Sequence, residues 1–424
     1  MIRFLLQGLL RDKSRSRVPV LVVAIGVMLS VLMHAYVNGI MGDTIEMNAR
    51  FSTGHVKVMS AAYADNINQV PNDLAMLDVN NLLQNLENEY PAVLWTPRIK
   101  FGGLVDAPNT TRETKTQGPA MGMGINLLSP GSRETDRLNL AESLVRGQLP
   151  TQSGEVLLSE EFSQKLKVNP GDEVTLIGST MNGSMAMYNF IVSGTVRFGT
   201  GVLDRGTVIA DITDVRMALD MVDAAGEIVG FFESGYYSQE KAEQAAASFN
   251  DAYYNPEDEF SPQMFTLREQ DNMAMYVDMS KSMSFIVTLV FMLAMSLVLW
   301  NAGLLGGLRR YGEIGVRLAI GEEKGHVYRT MIIESVLIGI AGSVIGTAFG
   351  LFFAWLIQTY GIDISSMMQG ASVMMPSEIR ARITPLDFYI GFIPGIISTV
   401  IGTALSGIGI YKRKTARLFK ELEA

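Results

Sequence analysis

The sequence predicts a membrane protein: four transmembrane α-helices, with one large α+β domain inserted between the first helix and the second. Three observations lead there. The stretches 18–41, 283–308, 331–358 and 388–411 are each apolar over more than 20 residues, enough at about 1.5 Å per residue to cross a hydrocarbon layer of about 30 Å. The interval 42–280 has no comparable run and carries 33 acidic against 16 basic residues, whereas the rest of the chain is net positive. Clusters of Lys and Arg flank the ends of all four spans on the same side, which marks that side as cytoplasmic and the acidic interval as lying outside.

Composition excludes several classes of function. With 48% hydrophobic and 18% charged residues, the 424-residue chain is too apolar for an ordinary soluble protein. Its acidic interval repels phosphate and holds no basic stripe, so no nucleic-acid partner is expected. Cysteine is absent, which removes disulfides, thiolate metal sites and a cysteine nucleophile. No Gly-x-x-x-x-Gly-Lys-Ser/Thr loop and no Gly-x-Ser-x-Gly turn occurs, and the acids of Gly321-Glu322-Glu323-Lys324-Gly325 would repel phosphate. His34, His55 and His326 fall in a span, the outer domain and the cytoplasmic side, so neither a histidine metal site nor a triad is expected. The expectation is a chain with no catalytic residues, metal or cofactor of its own.

Residues 1–17 carry Arg3, Arg11, Lys13, Arg15 and Arg17 against Asp12, with Leu5, Leu6, Leu9 and Leu10 at helical spacing. They read as a cytoplasmic amphipathic segment or simply a positive flank, and either orients the next span alike. Span one, 18–41, is longer than a signal's apolar region and lacks a small-residue cleavage site, so it stays as an anchor. Its His34 and Asn38 face a protein interior or sit near the outer interface.

Within 42–280, Ser52 to Val58 is expected as the first strand. Glu155 to Leu158 forms a strand before a short helix from Ser159 to Leu166. Asn169-Pro170-Gly171-Asp172 turns into a strand from Glu173 to Ile177, since Pro fixes φ and Gly permits positive φ. Asn182-Gly183 closes a hairpin onto Tyr188 to Val196. Thr207 to Ala210 is a further strand and Ile212 to Met221 a helix. The acids Asp251, Glu257, Asp258 and Glu259 form a solvated loop, because the ligand spacing and turn glycine of a calcium loop are missing.

Span two, 283–308, leads into a charged cytoplasmic element, 309–330, and span three, 331–358, follows. The outer loop 359–387 holds Met367, Met368, Met374, Met375 and Pro376. Span four, 388–411, contains Pro394, which removes one backbone hydrogen bond. The cytoplasmic tail 412–424 adds Lys412, Arg413, Lys414, Arg417 and Lys420. In span three, Gly342, Gly346 and Gly350 make two small-xxx-small steps that let another helix approach closely, in this chain or in a partner. The methionines 121, 123, 181, 185 and 187 of the outer domain, and 264, 273, 275, 279 and 283 leading into span two, are ordinary filling, an adaptable apolar surface, or a soft copper site.

The element Arg310-Tyr311-Gly312-Glu313-Ile314-Gly315-Val316-Arg317-Leu318-Ala319-Ile320-Gly321 resembles the Arg-x-x-Glu-Ile-Gly-x-x-Arg-Ala-x-Gly signature of FtsX/MacB-type (type VII) ABC transporter permeases, with Arg317-Leu318-Ala319 replacing the usual Arg-Ala step. Ser153 to Val196 resembles the core of MacB-like periplasmic domains, and Ser52-Thr53-Gly54-His55-Val56 the start of that domain in LolC/LolE-type lipoprotein-releasing permeases. The resemblance implies an inner-membrane permease subunit, with ATP and Mg bound by separate cytoplasmic ABC ATPase subunits. A second permease chain, identical or different, and a periplasmic carrier or adaptor would complete the assembly, with membrane lipid around it. It also implies that Arg310, Glu313, Ile314, Gly315, Arg317, Ala319 and Gly321 couple the permease to the ATPase, whose motion is transmitted up the spans. Because the family fold sets spans one and two beside the dimer axis, a lipid-accepting cavity is expected at their outer ends, with Met33, Val37, Ile40, Met41, Met279, Met283 and Ile286. Lipoproteins or related lipidic substrates are the expected cargo. The alternatives are MacB-like peptide or drug efflux, and an FtsX-like regulator of a cell-wall hydrolase that transports nothing. The gap Gly178 to Met187 lacks the long proline-bearing hook with which one lipoprotein-releasing permease recruits its carrier.

Overall fold

The structure, a computed structural model, describes residues 13–108, 114–308, 311–364, 366, 370, 372–375 and 377–412. The leucines of the N-terminal segment, Arg310, Met367, Met368, Pro376 and the tail from Arg413 onward lie outside the described residues. The chain forms two compact units, one of residues Met1–Gly42, Met279–Ile362 and Ile379–Ala424, the other of Asp43–Asp278 and Asp363–Glu378.

Four helical segments, Arg17–Thr53, Met273–Leu308, Lys324–Tyr360 and Pro385–Ile408, are long and apolar enough to cross a membrane. The first three outrun the apolar stretches that predict them, because a helix stops at a cap and not where hydropathy falls. Span one continues as an α-helix to Asn48 and a π-turn, Ala49–Thr53, ending at Gly54 with φ 62°. Span three ends at Gly361, φ 69°, an angle open to glycine at no steric cost. Span four is assembled from a 3-10 turn, Pro385–Phe388, a π-helix, Ile393–Ser398, and an α-helix, Thr399–Lys412. The wide turn includes Pro394, whose missing N–H is where the regular ladder is interrupted.

The second unit is built on a ten-stranded sheet. Its strands are β1 (Val56–Ser60), β2 (Val93–Pro108), β3 (Thr114–Ile125), β4 (Leu144–Gly147), β5 (Glu155–Ser159), β6 (Glu173–Ser179), β7 (Met185–Val196), β8 (Thr207–Asp211), β9 (Glu227–Phe232) and β10 (Pro262–Thr266). They run in the order β10-β1-β9-β2-β3-β8-β5-β7-β4, and β6 bridges β2 and β7. Both faces are covered around β5. Val156 and Leu158 join one apolar cluster with Phe162, Leu166, Val215, Leu219 and Phe249 of the packed helices, while Leu157 joins another with Ile125, Val196, Phe198 and Ile209. Successive side chains of a strand point to opposite faces, so a strand buried on both reads as an unbroken apolar run.

The first-strand expectation needs correction at its start: Ser52 and Thr53 belong to the π-turn, and pairing begins at Val56. The long hairpin of β2 and β3 was not expected, because Gly102, Gly103, Gly118, Gly122 and Gly124 dilute its alternation. Gly122 accommodates the Phe101 ring, which an added Cβ would strike. The loop after span three is also more than a connection. Val373 and Met374 donate backbone hydrogen bonds to the carbonyls of Arg197 and Phe198 and pack into the second cluster, so part of this segment belongs to the sheet domain. The methionines divide: Met123 and Met264 are buried, while Met121, Met185 and Met187 are more than half exposed.

Several charges inside the sheet domain are paired. Lys57 and Glu227 are fully buried at 3.1 Å, and Lys100 reaches the other Glu227 oxygen at 2.9 Å. Burial opposes ionisation of Glu227, yet the ammonium groups of Lys100 and Lys57 outweigh it and hold its pKa at about 2. Burial pushes Lys57 down to about 8 against the pull of Glu227. His55, which the sequence left without partners, receives the Phe232 N–H at Nδ1, so Nε2 carries the proton and donates to Glu46 at 2.8 Å.

Candidate functional site

Between spans two and three, Tyr311–Ala319 forms a separate short helix. Its spacing places Tyr311, Ile314 and Leu318 on one face, where they pack on Val327 and Met331 of span three. The Tyr311 hydroxyl donates to the Ser406 carbonyl of span four at 2.6 Å. The opposite face carries Glu313, Val316, Ala319 and Ile320, all exposed, with Ile320 at 82%.

The helix ends in a Schellman turn. Glu322 N–H bonds to Arg317 O and Gly321 N–H to Leu318 O, and Gly321 takes φ 100°. Arg317 adds a bidentate pair to Glu322, 2.7 Å for each bond, and this hydrogen bonding holds the Glu322 carboxyl below its ordinary pKa. The expected coupling residues therefore separate by role. Ile314 and Gly315 are buried and mount the helix, Arg317 and Gly321 shape its end, and Glu313 and Ala319 face outward. Val316 and Ile320, absent from the expected set, complete that outward face. Their signal was the i, i+3, i+7 spacing from Glu313.

The three glycines of span three lie against span one of the same chain. A Cβ on Gly342 would fall 2.6 Å from Val23 Cβ, on Gly346 2.5 Å from the Ala24 oxygen, and on Gly350 2.9 Å from Val31 Cβ. Val27, fully buried, fills the space that Gly346, Gly391 and Gly395 leave open. The small-xxx-small steps thus bring two backbones close and seat β-branched side chains from span one between them.

The expected cavity residues do not form one surface. Met279, Met283 and Ile286 of span two are each more than half exposed, whereas Val37 is 7% exposed inside the bundle. Met33 lines a crevice too narrow to admit a water molecule, together with Ser30, His34, Thr288, Phe291, Met292 and Ile390. Ile40 and Met41 are half-buried.

The polar residues of span one do come together with other spans. Ser284 Oγ donates to Asn38 Oδ1 at 2.5 Å, Asn38 Nδ2 donates to His34 Nε2 at 3.1 Å, and His34 Nδ1 lies 2.7 Å from the buried Asp387 carboxylate. Asp387 also accepts from the Thr384 N–H and hydroxyl, capping the first turn of span four. The donors and acceptors alternate correctly if Nδ1 carries the imidazole proton.

Comparison with known proteins decides the family. Residues 19–253 match the family model of the MacB-like periplasmic core domain, more than half the chain, and residues 285–415 match the FtsX-like permease C-terminal model. This chain belongs to the FtsX/MacB-type ABC transporter permeases. The permease is 24% identical over 314 residues to the lipoprotein-releasing system transmembrane protein LolC of Xylella fastidiosa strain Temecula1, covering 71% of this chain and 72% of that protein. LolC of Haemophilus influenzae is 23% identical over 61% of each chain. The macrolide export ATP-binding/permease protein MacB of Neisseria meningitidis serogroup A is 28% identical over 116 residues, 24% of the permease and 18% of that longer protein. The periplasmic region of MacB from Actinobacillus actinomycetemcomitans aligns with TM-score 0.36 and 15% identity, covering 55% of the permease and 95% of that structure.

Proposed function

We propose that this permease works in the inner membrane with both termini and the Tyr311–Ala319 helix in the cytoplasm, the sheet domain in the periplasm, and ATP hydrolysis supplied by a separate ABC ATPase. The observation that carries the coupling role is the outward face of that helix. Glu313, Val316 and Ile320 are exposed on an element fastened to spans three and four by Tyr311 and Ile314. An exposed apolar patch on a rigidly mounted helix is built to be covered by another protein. A push on it reaches two spans at once. ATP and Mg belong to the partner, and a second permease chain completes the complex. The substrate proposed is a lipoprotein or related lipidic molecule, supported by relatives named for lipoprotein release that align over most of the chain. The β6–β7 connection is a tight turn with Gly183 at φ 80°, so a carrier-recruiting hook would have to come from the other permease chain.

The test combines two readings. Val316→Asp with Ile320→Asp should abolish co-purification of the ATPase from native membranes while leaving membrane insertion intact. Reversing Arg317 instead would also break its pair with Glu322, so it tests helix termination as well as docking. A double variant that retains its ATPase and stimulated hydrolysis refutes the coupling role. For cargo, a photo-crosslinker at the exposed Met283 should capture acylated proteins; consistent capture of unacylated peptides favours efflux.

A further inference from the structure

Span two is held differently along its two halves. Around Leu299 and Gly303 one face packs tightly: Leu299 is fully buried, its Cδ2 would lie 3.0 Å from a Cβ on Gly26, and a Cβ on Gly303 would lie 2.8 Å from the Thr399 carbonyl oxygen. Toward Met279 the picture reverses. Met279, Met283, Phe285, Ile286, Leu289, Val290 and Leu293 are all exposed, and the two residues buried between positions 279 and 293 are Ser284 and Thr288. With Ser280, whose hydroxyl lies 3.4 Å from the Met41 carbonyl, these hydroxyls recur at i, i+4 and i+8. Such spacing makes one stripe along a helix. From Ser280 to Thr288 the face turned to span one is thus polar while the outer surface is apolar; Phe291 and Met292 begin the apolar packing on span one that continues to Leu299. Among the described residues, Thr288 Oγ1 is buried beside His34 with no hydrogen-bond partner.

We propose that the Ser284–Asn38 hydrogen bond is a latch that docks the outer half of span two onto span one. The His34–Asp387 pair behind it holds Asn38 in place, and the tightly packed Leu299–Gly303 region serves as the pivot about which that half swings when the latch opens. The physical basis is the asymmetry of the two halves. Apolar surface gains nothing by leaving lipid for protein, so in a membrane the outer half depends on its hydrogen bonds, and such bonds are modest and reversible. The pivot depends on close backbone approach, which changes little when a single bond opens. The latch deepens the proposed function, because Met279, Met283 and Ile286 move with the swinging half. Its test needs neither ATP nor substrate, so failure of the latch and failure of the transport reading are separable.

The chain has no cysteine, so paired spin labels can be placed without background. In the full chain in lipid nanodiscs, one pair is Met279→Cys with Phe352→Cys on the outer halves of spans two and three, and the other is Leu305→Cys with Ile340→Cys nearer the pivot. All four positions are exposed. Pulsed dipolar spectroscopy should show the outer pair shifting toward a longer, broader distribution in Ser284→Ala and in Asn38→Leu. The expected change in the docked-to-undocked ratio is about threefold to about twentyfold. The inner pair should stay unchanged, and Ser284→Thr should restore the outer distance. An outer distribution indifferent to Ser284→Ala and Asn38→Leu overturns the latch. Equal broadening of both pairs also overturns it, since the bond would then support the whole bundle and not one swinging half.

Discussion

Replacing Gly346 with alanine probes the seam between spans one and three. The added Cβ would lie 2.5 Å from the Ala24 carbonyl oxygen and 2.8 Å from Val27 Cβ, well inside an ordinary contact of about 3.5 Å. Neither neighbour can give way easily. One is helix backbone, and the other is a β-branched side chain confined to one preferred rotamer. The helices must separate locally, at an overpacking cost of about 1–3 kcal/mol. Alanine's better helix propensity offsets about 1 kcal/mol of that, leaving a net loss on the order of 1 kcal/mol. At Gly350 the nearest atoms stand at 2.9 and 3.0 Å, so Gly350→Ala should cost least of the three, with Gly342→Ala between it and Gly346→Ala. Reversible unfolding of the full chain in mixed micelles, driven by rising SDS, should rank the midpoints in that order. A Gly346→Ala protein as stable as the parent would mean the seam is loose and the close-approach argument wrong.

Two further predictions address the turn after the Tyr311–Ala319 helix and the buried charges. Gly321→Ala puts a side chain at φ 100° and should cost roughly 1 kcal/mol locally. ATPase stimulation should fall although every outward residue is intact; unchanged stimulation would show that the Schellman turn does not set the docking face. For the sheet domain, the folded pKa of Glu227, about 2, lies below its ordinary 4.5. The unfolded chain therefore takes up that proton first as acid is added, and stability present above pH 4.5 is lost between about 4.5 and 2. Lys57 is also depressed, from 10.5 to about 8, so its burial opposes folding at neutral pH and the penalty eases as pH rises from about 8 through 10.5. Thermal unfolding followed by Trp95 fluorescence, with Trp300 and Trp355 replaced by Phe, should show both limbs. Glu227→Gln should flatten the acid limb, and an unchanged acid profile in that variant would rule Glu227 out as its source.

The sequence by itself determined the four apolar segments, the α+β interval between the first two and the position of the charged element between spans two and three. These follow from local composition and from signals a few residues long: apolar run length, the Asn182-Gly183 turn, glycines at spacing four. Only the tertiary structure decided which side chains act together. It assigned Arg317 and Gly321 to the turn that ends the Tyr311–Ala319 helix, gave the glycine seam its partners in span one, and joined His34, Asn38, Ser284 and Asp387. Asp387 lies 353 positions from His34 and Ser284 lies 246 from Asn38. No local pattern encodes such a pairing, because it arises when helices far apart in sequence pack side by side.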